Sequence, residues 1–123
     1  MRFDVLIVDD SAATRIILRR VLKQADPGVG DVYEASDGLE ALEVLKRRRV
    51  DLVLADVNMP NMDGIELLAH IKASAQLESL PVIMVTTEGS QSKVIQAARL
   101  GAAGYIRKPF SAEQIKQKLA NVL

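Results

Sequence analysis

The stretch "VLIVDDS", residues 5–11, runs four apolar residues directly into two adjacent carboxylates, Asp9 and Asp10. Together with its flank, "FDVLIVD" (3–9) reads as a buried strand. The next segment, "SAATRIILRRVLKQA" (11–25), reads as a helix with Ile17, Leu18, Val21, Leu22 and Ala25 on one face. Two like charges side by side repel, and each resists losing its water. One Asp or Ser would cap the following helix equally well, so the pair calls for a reason beyond structure.

The same strand–helix alternation continues outward. "DPGVG" (26–30) carries Pro and Gly and reads as a loop. "DVYEA" (31–35) is a second strand, and "DGLEALEVLKRRR" (37–49) a helix capped by Asp37. "DLVLAD" (51–56) is the third strand, followed by the loop "VNMPNM" (57–62), in which Met59 and Met62 read as filler. "DGIELLAHIKAS" (63–74) opens with Asp63 and Glu66 at capping-box spacing. "LPVIMVTT" (80–87) is the fourth strand, and "SQSKVIQAARLG" (90–101) a helix stopped by Gly101. "AGYIRK" (103–108) is the fifth strand, and "SAEQIKQKLANVL" (111–123) the last helix, with Ser111 and Gln114 as a second capping box.

Five strands alternating with five helices predict an α/β fold, a doubly wound parallel sheet covered on both faces. Strands one, three and four are nearly unbroken apolar runs, as interior parallel strands are. Strands two and five carry Asp31, Glu34, Arg107 and Lys108, so they read as edges. The simplest order is then 2-1-3-4-5.

The totals narrow the function. A chain of 123 residues fits one domain, 1–123, and the five helices leave no stretch for a separate output domain. Lys+Arg and Asp+Glu are both 16, a balance that argues against nucleic acid or a membrane surface as partner. There is no Cys, which removes disulfide and thiolate chemistry. No apolar run approaches the roughly 18 residues of a membrane helix, and no signal peptide is evident. A soluble, monomeric, cytoplasmic protein is expected.

In open α/β sheets ligands sit beyond the carboxyl ends of strands, where the order reverses. Here that point lies between strands one and three, which end in Asp9, Asp10 and Asp56. Of nine Asp residues only these three stand at carboxyl ends; Asp37 and Asp63 are caps, and Asp51 is at the opposite end of the sheet. Strand four ends in Thr86 and Thr87, and strand five in Lys108 before Pro109. Crowded carboxylates ask for a hard cation, and a site that keeps water positions suits Mg²⁺. A Lys and a hydroxyl on the far side would cradle phosphoryl oxygens. A carboxylate can itself be the nucleophile, giving an aspartyl phosphate, and Asp56 is the candidate by its central position.

The segments "VDDS", "DVNMPNMDG", "PVIMVTTEG" and "GYIRKPF" resemble the receiver domains of bacterial two-component response regulators, over the whole chain. Among these the resemblance is to the single-domain chemotaxis regulators of the CheY type. The order 2-1-3-4-5 is the one known from flavodoxin and CheY, so that reading and the resemblance are not independent.

The resemblance implies roles. Asp56 would be the phosphoacceptor and Lys108 the phosphoryl-binding lysine. Asp9, Asp10 and Asp56 would hold Mg²⁺ with the backbone carbonyl of Asn58. Thr86 would be the switch hydroxyl and Tyr105 the aromatic that turns inward with it, although Tyr105 also fits a plain half-buried edge-strand aromatic. Asn58 and Glu88 match positions that tune hydrolysis of the acyl phosphate. A cis Lys108–Pro109 peptide is implied as well.

The implied partners are a histidine kinase as phosphodonor and a protein target, such as the flagellar switch or another chemotaxis protein. The target would sit on the face of the fourth helix, fifth strand and fifth helix, at Val94, Ala98, Tyr105 and Lys118. Three positions depart from the pattern. Thr87 stands where Ala or Gly is usual, and Ser90 and Gln91 stand where motor-binding members carry a lysine pair, with Lys93 further on.

Such a protein is a phosphoacceptor that catalyses its own phosphorylation and dephosphorylation, and not a separate enzyme. The alternatives are a receiver excised from a larger regulator and an Mg²⁺-dependent phosphatase with an aspartyl nucleophile. The D-x-D motif and cap domain usual in such phosphatases are absent. A flavin carrier would need a Ser/Thr/Gly phosphate loop where "DDSAAT" stands. "KRRR" (46–49) complements a helix dipole, and His70 reads as a surface residue.

Overall fold

The computed structural model describes residues 2–123. The elements are β1 (Phe3–Val8), α1 (Ala12–Ala25), β2 (Val29–Ala35), α2 (Gly38–Arg47), β3 (Leu52–Ala55), α3 (Gly64–Ala73), β4 (Val82–Thr86), α4 (Gln91–Arg99), β5 (Gly104–Arg107) and α5 (Ala112–Val122). The strands pair in parallel in the order β2-β1-β3-β4-β5, as expected.

Alternation along each strand divides the interior in two. Leu6, Val8, Val53, Ala55, Val82 and Met84 face α2, α3 and α4. Val5, Ile7, Leu52, Leu54, Ile83 and Val85 face Leu18 and Leu22 of α1 and Ile115 and Leu119 of α5. Because both faces are covered, β1, β3 and β4 need apolar side chains at nearly every position, Asp4 near the start of β1 and Thr86 at the end of β4 excepted, which explains their long apolar runs. No helix among the described residues is long and apolar enough to cross a membrane.

The helix starts follow the sequence signals. Asp37 accepts the Glu40 N–H, and α3 and α5 open with complete capping boxes, Asp63 with Glu66 and Ser111 with Gln114. Three local expectations are corrected. Val29 and Gly30 belong to β2 and not to a loop, because Val29 pairs with Phe3, whose N–H donates to Gly28 (2.9 Å). The helix expected to reach residue 49 ends at Arg47; Arg48 is its C-cap and lies 5.8 Å from the Tyr33 ring centre. Ile17 does not share the buried face of α1: it is 51% exposed while its neighbour Leu18 is buried. At about 100° per residue, Leu18, Val21, Leu22 and Ala25 fall within roughly 100° of arc, and Ile17 lies beyond its edge.

The start of α3 presses on the end of β3. A Cβ at Gly64 would collide with the carbonyl oxygen of Asp56 and with the tip of Met84. The Gly64 N–H donates to Val57 (2.9 Å), closing the turn. Gly64→Ala should therefore cost about 1–3 kcal/mol, the usual range for overpacking, read as a lower urea midpoint. A midpoint equal to the parent's would show that this turn has slack.

Candidate functional site

Four strand ends converge on one crevice. Asp9 follows β1, Asp56 follows β3, Thr86 ends β4, and Lys108 follows β5. The Lys108–Pro109 peptide is cis. The Lys108 N–H donates to the Thr86 carbonyl (2.9 Å), which extends the β4–β5 pairing to the crevice. From there the side chain reaches back across the sheet. Its Nζ donates to Asp9 Oδ2 (2.6 Å) and Asp56 Oδ2 (3.1 Å).

Asp9 is 1% exposed and Asp56 9%, so both carboxylates have lost most of their water. Their remaining oxygens are met by the backbone. Ser11 N–H donates to Asp9 Oδ1 (2.9 Å), and Asn58 N–H to Asp56 Oδ1 (3.3 Å). Asp10 is exposed, and its side chain makes no hydrogen bond among the described residues. One oxygen from each of Asp9, Asp10 and Asp56 lies within 4.8 Å of the others. Three carboxylates with an all-oxygen donor set, one of them uncommitted, can coordinate a divalent metal ion.

Burial pushes the Lys108 ammonium down, but its hydrogen bonds to Asp9 and Asp56 and their charges push it up, and the balance lies above the usual lysine range. A lysine pKa raised on folding adds stability that is complete below the unfolded value of about 10.4 and fades as pH rises through the native value. At neutral pH the ammonium acts in full.

A second chain of contacts leads away from the crevice. Thr86 is fully buried, and its Oγ1 accepts the Glu88 N–H (3.1 Å). The Glu88 carbonyl accepts the Tyr105 hydroxyl. Burial first, then the Glu88 charge, raises the Tyr105 phenol above its ordinary range, so it stays a donor. Glu88 itself is held below the usual carboxylate range, chiefly by the Ser90 N–H, which donates at 3.0 Å. Thr87 is exposed beside it. Tyr105 also lines a cavity of about 200 Å³ with Val94, Ala97 and Ala98 of α4. Gly104 lines the same cavity, and the Lys118 stem lies against it.

The structure thus brings Asp9, Asp10, Asp56 and Lys108 into one cluster and joins Thr86 to Tyr105 through Glu88. The sequence reading missed Arg15, whose Nη1 donates to the Asp9 carbonyl (2.6 Å), and Glu34, which it took only as an edge charge. A signal existed: a cation one turn into a helix opposes the helix dipole and needs another reason to be there.

The family model for the response regulator receiver domain matches residues 5–120. Chemotaxis protein CheY-3 of Vibrio cholerae is 45% identical over 118 residues, 96% of this chain and 89% of the relative. Among solved structures, chemotaxis response regulator CheY4 of Vibrio cholerae superposes with a TM-score of 0.88 at 36% identity, covering 100% of both chains. The Mn²⁺-bound form of response regulator Rcp1 superposes with a TM-score of 0.81 at 28% identity, over 98% of this chain and 91% of that one.

The buried acids depend on the ammonium. Without metal, Lys108→Met should cost about 3 kcal/mol, the low end for breaking a buried pair, because the lysine keeps 16% exposure. Added Mg²⁺ should recover part of the loss. A urea midpoint unchanged from the parent's would mean that Asp9 and Asp56 do not need their partner.

Proposed function

This chain belongs to the response regulator receiver domain family and is a CheY-type, phosphorylation-activated signalling switch, a phosphoacceptor and not a classical enzyme; we propose that Asp56 is the residue that takes the phosphoryl group. The observation that carries this reading is the pairing of one ammonium with two buried carboxylates at the switch point of the sheet. Its homology to CheY-type regulators supports interaction with a histidine kinase and with downstream signalling partners.

The proposed reaction is a displacement at phosphorus. An Asp56 carboxylate oxygen attacks the phosphoryl group of a phosphohistidine. The P–N bond breaks as the P–O bond forms, and the imidazole keeps the electron pair. When bound by Asp9, Asp10, Asp56 and the Asn58 carbonyl, Mg²⁺ would neutralise charge on the phosphoryl oxygens. Lys108 then exchanges a carboxylate oxygen for a phosphoryl oxygen. Ser11 and Asn58 N–H groups hold Asp9 and Asp56 in place meanwhile.

The Thr86 hydroxyl accepts from Glu88, which leaves its own hydrogen free to donate to a phosphoryl oxygen. Movement of Thr86 toward that oxygen frees the Glu88 N–H and loosens the Glu88 backbone, whose carbonyl is the acceptor of the Tyr105 hydroxyl. The cavity under α4 gives the Tyr105 ring room to turn. The phosphoryl contact therefore biases an equilibrium between two packings. The readout face is the one made by α4, β5 and α5, with Val94, Ala98, Tyr105 and Lys118, and it suits a short amphipathic helix with acidic flanks. Asn58 and Glu88, at the rim, would tune access of water to the acyl phosphate.

Acetyl phosphate with Mg²⁺ should label the parent protein, and Asp56→Asn should lose the label entirely. Label retained on that variant overturns the assignment. Tyr105→Ala should leave labelling nearly intact while uncoupling α4. Amide shifts on adding beryllofluoride should reach α4 in the parent and stay within the crevice in the variant. Shifts confined to the crevice in the parent would refute the Thr86–Tyr105 route.

A further inference from the structure

The peptide joining the two leading acids is held from outside the crevice. The Asp9 carbonyl lies just past the end of β1, and Arg15 of α1 donates to it from Nη1 (2.6 Å). The same guanidinium donates from Nε to Glu34 Oε1 of β2 (2.8 Å). The other Glu34 oxygen accepts Arg19 Nη2 (2.6 Å), which also reaches the Val32 carbonyl (3.0 Å). The hydrogen bond from Arg19 is the main cause that keeps Glu34 below the usual carboxylate range; burial opposes it, and Arg15 adds to it. Glu34 is therefore charged at neutral pH and keeps its grip.

We propose that Arg15 is a positioning residue for the metal site: braced by Glu34, its guanidinium grips the Asp9 carbonyl and fixes the Asp9–Asp10 peptide from which both acids project. This rests on the reading of Asp9 and Asp10 as metal-holding acids. The grip matters most for Asp10. Asp9 has two side-chain contacts of its own, from Ser11 and Lys108, whereas the Asp10 carboxylate has none among the described residues. Its direction is therefore inherited from the backbone. The planar fork of arginine can satisfy a carbonyl and a carboxylate at once, in fixed relative orientation, which a lysine cannot do.

Two effects of Arg15 on a bound cation have opposite sign, and this makes the idea testable. As a nearby positive charge, Arg15 repels the metal, so its removal would tighten binding. As a brace, its removal would weaken binding. Loss of an outer partner of a metal ligand typically lowers affinity by about 10–100-fold, and a carbonyl contact belongs near the lower end.

The experiment is a calorimetric Mg²⁺ titration of the full chain, for the parent, Arg15→Gln, Arg15→Lys and Asp10→Asn. Arg15→Gln should bind Mg²⁺ about tenfold more weakly. Arg15→Lys should also bind more weakly, although the charge is kept. In metal-free ¹⁵N spectra of Arg15→Gln, the Asp10 and Ser11 amides should shift and the Asp56 amide should not. Unchanged or tighter binding in folded Arg15→Gln overturns the proposal; if that variant does not fold, the same result in Arg15→Lys does so. The underlying reading of the acids fails separately, when the parent binds no Mg²⁺ or Asp10→Asn binds it as well as the parent, and the proposal falls with it.

Discussion

One ammonium allows two strands of this sheet to end in buried carboxylates. An isolated charge at the exposure of Asp9 would be expelled or neutralised, and Asp56 is little better placed. Lys108 supplies the missing charge to both at once. It does so from the far side of the sheet, because β4 and β5 carry their pairing up to the crevice before the side chain sets out. The arrangement is a stand-in for a cation. Whatever positive charge enters the cluster competes with a group already there, so the acids are never bare and never irreversibly committed.

Much of this was legible in the sequence, because topology turns strand ends into addresses. Once β1, β3 and β4 were read as interior from their apolar runs, Asp9, Asp10, Asp56 and Thr86 had only one place to go. Lys108 followed for the same reason. What could not be read was contact between side chains distant in the chain. Arg15 and Glu34 are 19 residues apart, and nothing in helix or strand periodicity pairs them. The start of β2 was hidden by Pro27 and Gly28, turn residues whose signal is local, while the pairing of Val29 with Phe3 is not. Ile17 was misplaced because a helical stripe drawn from composition is wider than the surface the sheet can cover.

Glu88 has a position that its sequence context did not suggest. Its backbone is held at both ends, by Thr86 on the N–H and by Tyr105 on the carbonyl. The two side chains thus meet on the backbone groups of one residue. A single residue, in a loop that also starts a helix through Ser90, stands between the buried crevice and the sheet edge. Both contacts fall on backbone polar groups, which must find partners wherever they lie.

The helix that Ser90 caps is also the one with the fewest buried anchors. Only Ala97 of α4 is buried, whereas α3 buries five residues, and the α4 cap bond from Lys93 N–H to Ser90 is long at 3.4 Å. Amide exchange makes the consequence concrete. Protons of β1, β3 and β4 can exchange with solvent only when the whole sheet opens, at the full cost of unfolding. Those of α4 need only the detachment of one small side chain and a weak cap. The protein therefore divides into a frame that holds the acids and opens only on unfolding and a flanking helix held by far less, which can detach at a small fraction of the cost of opening the sheet.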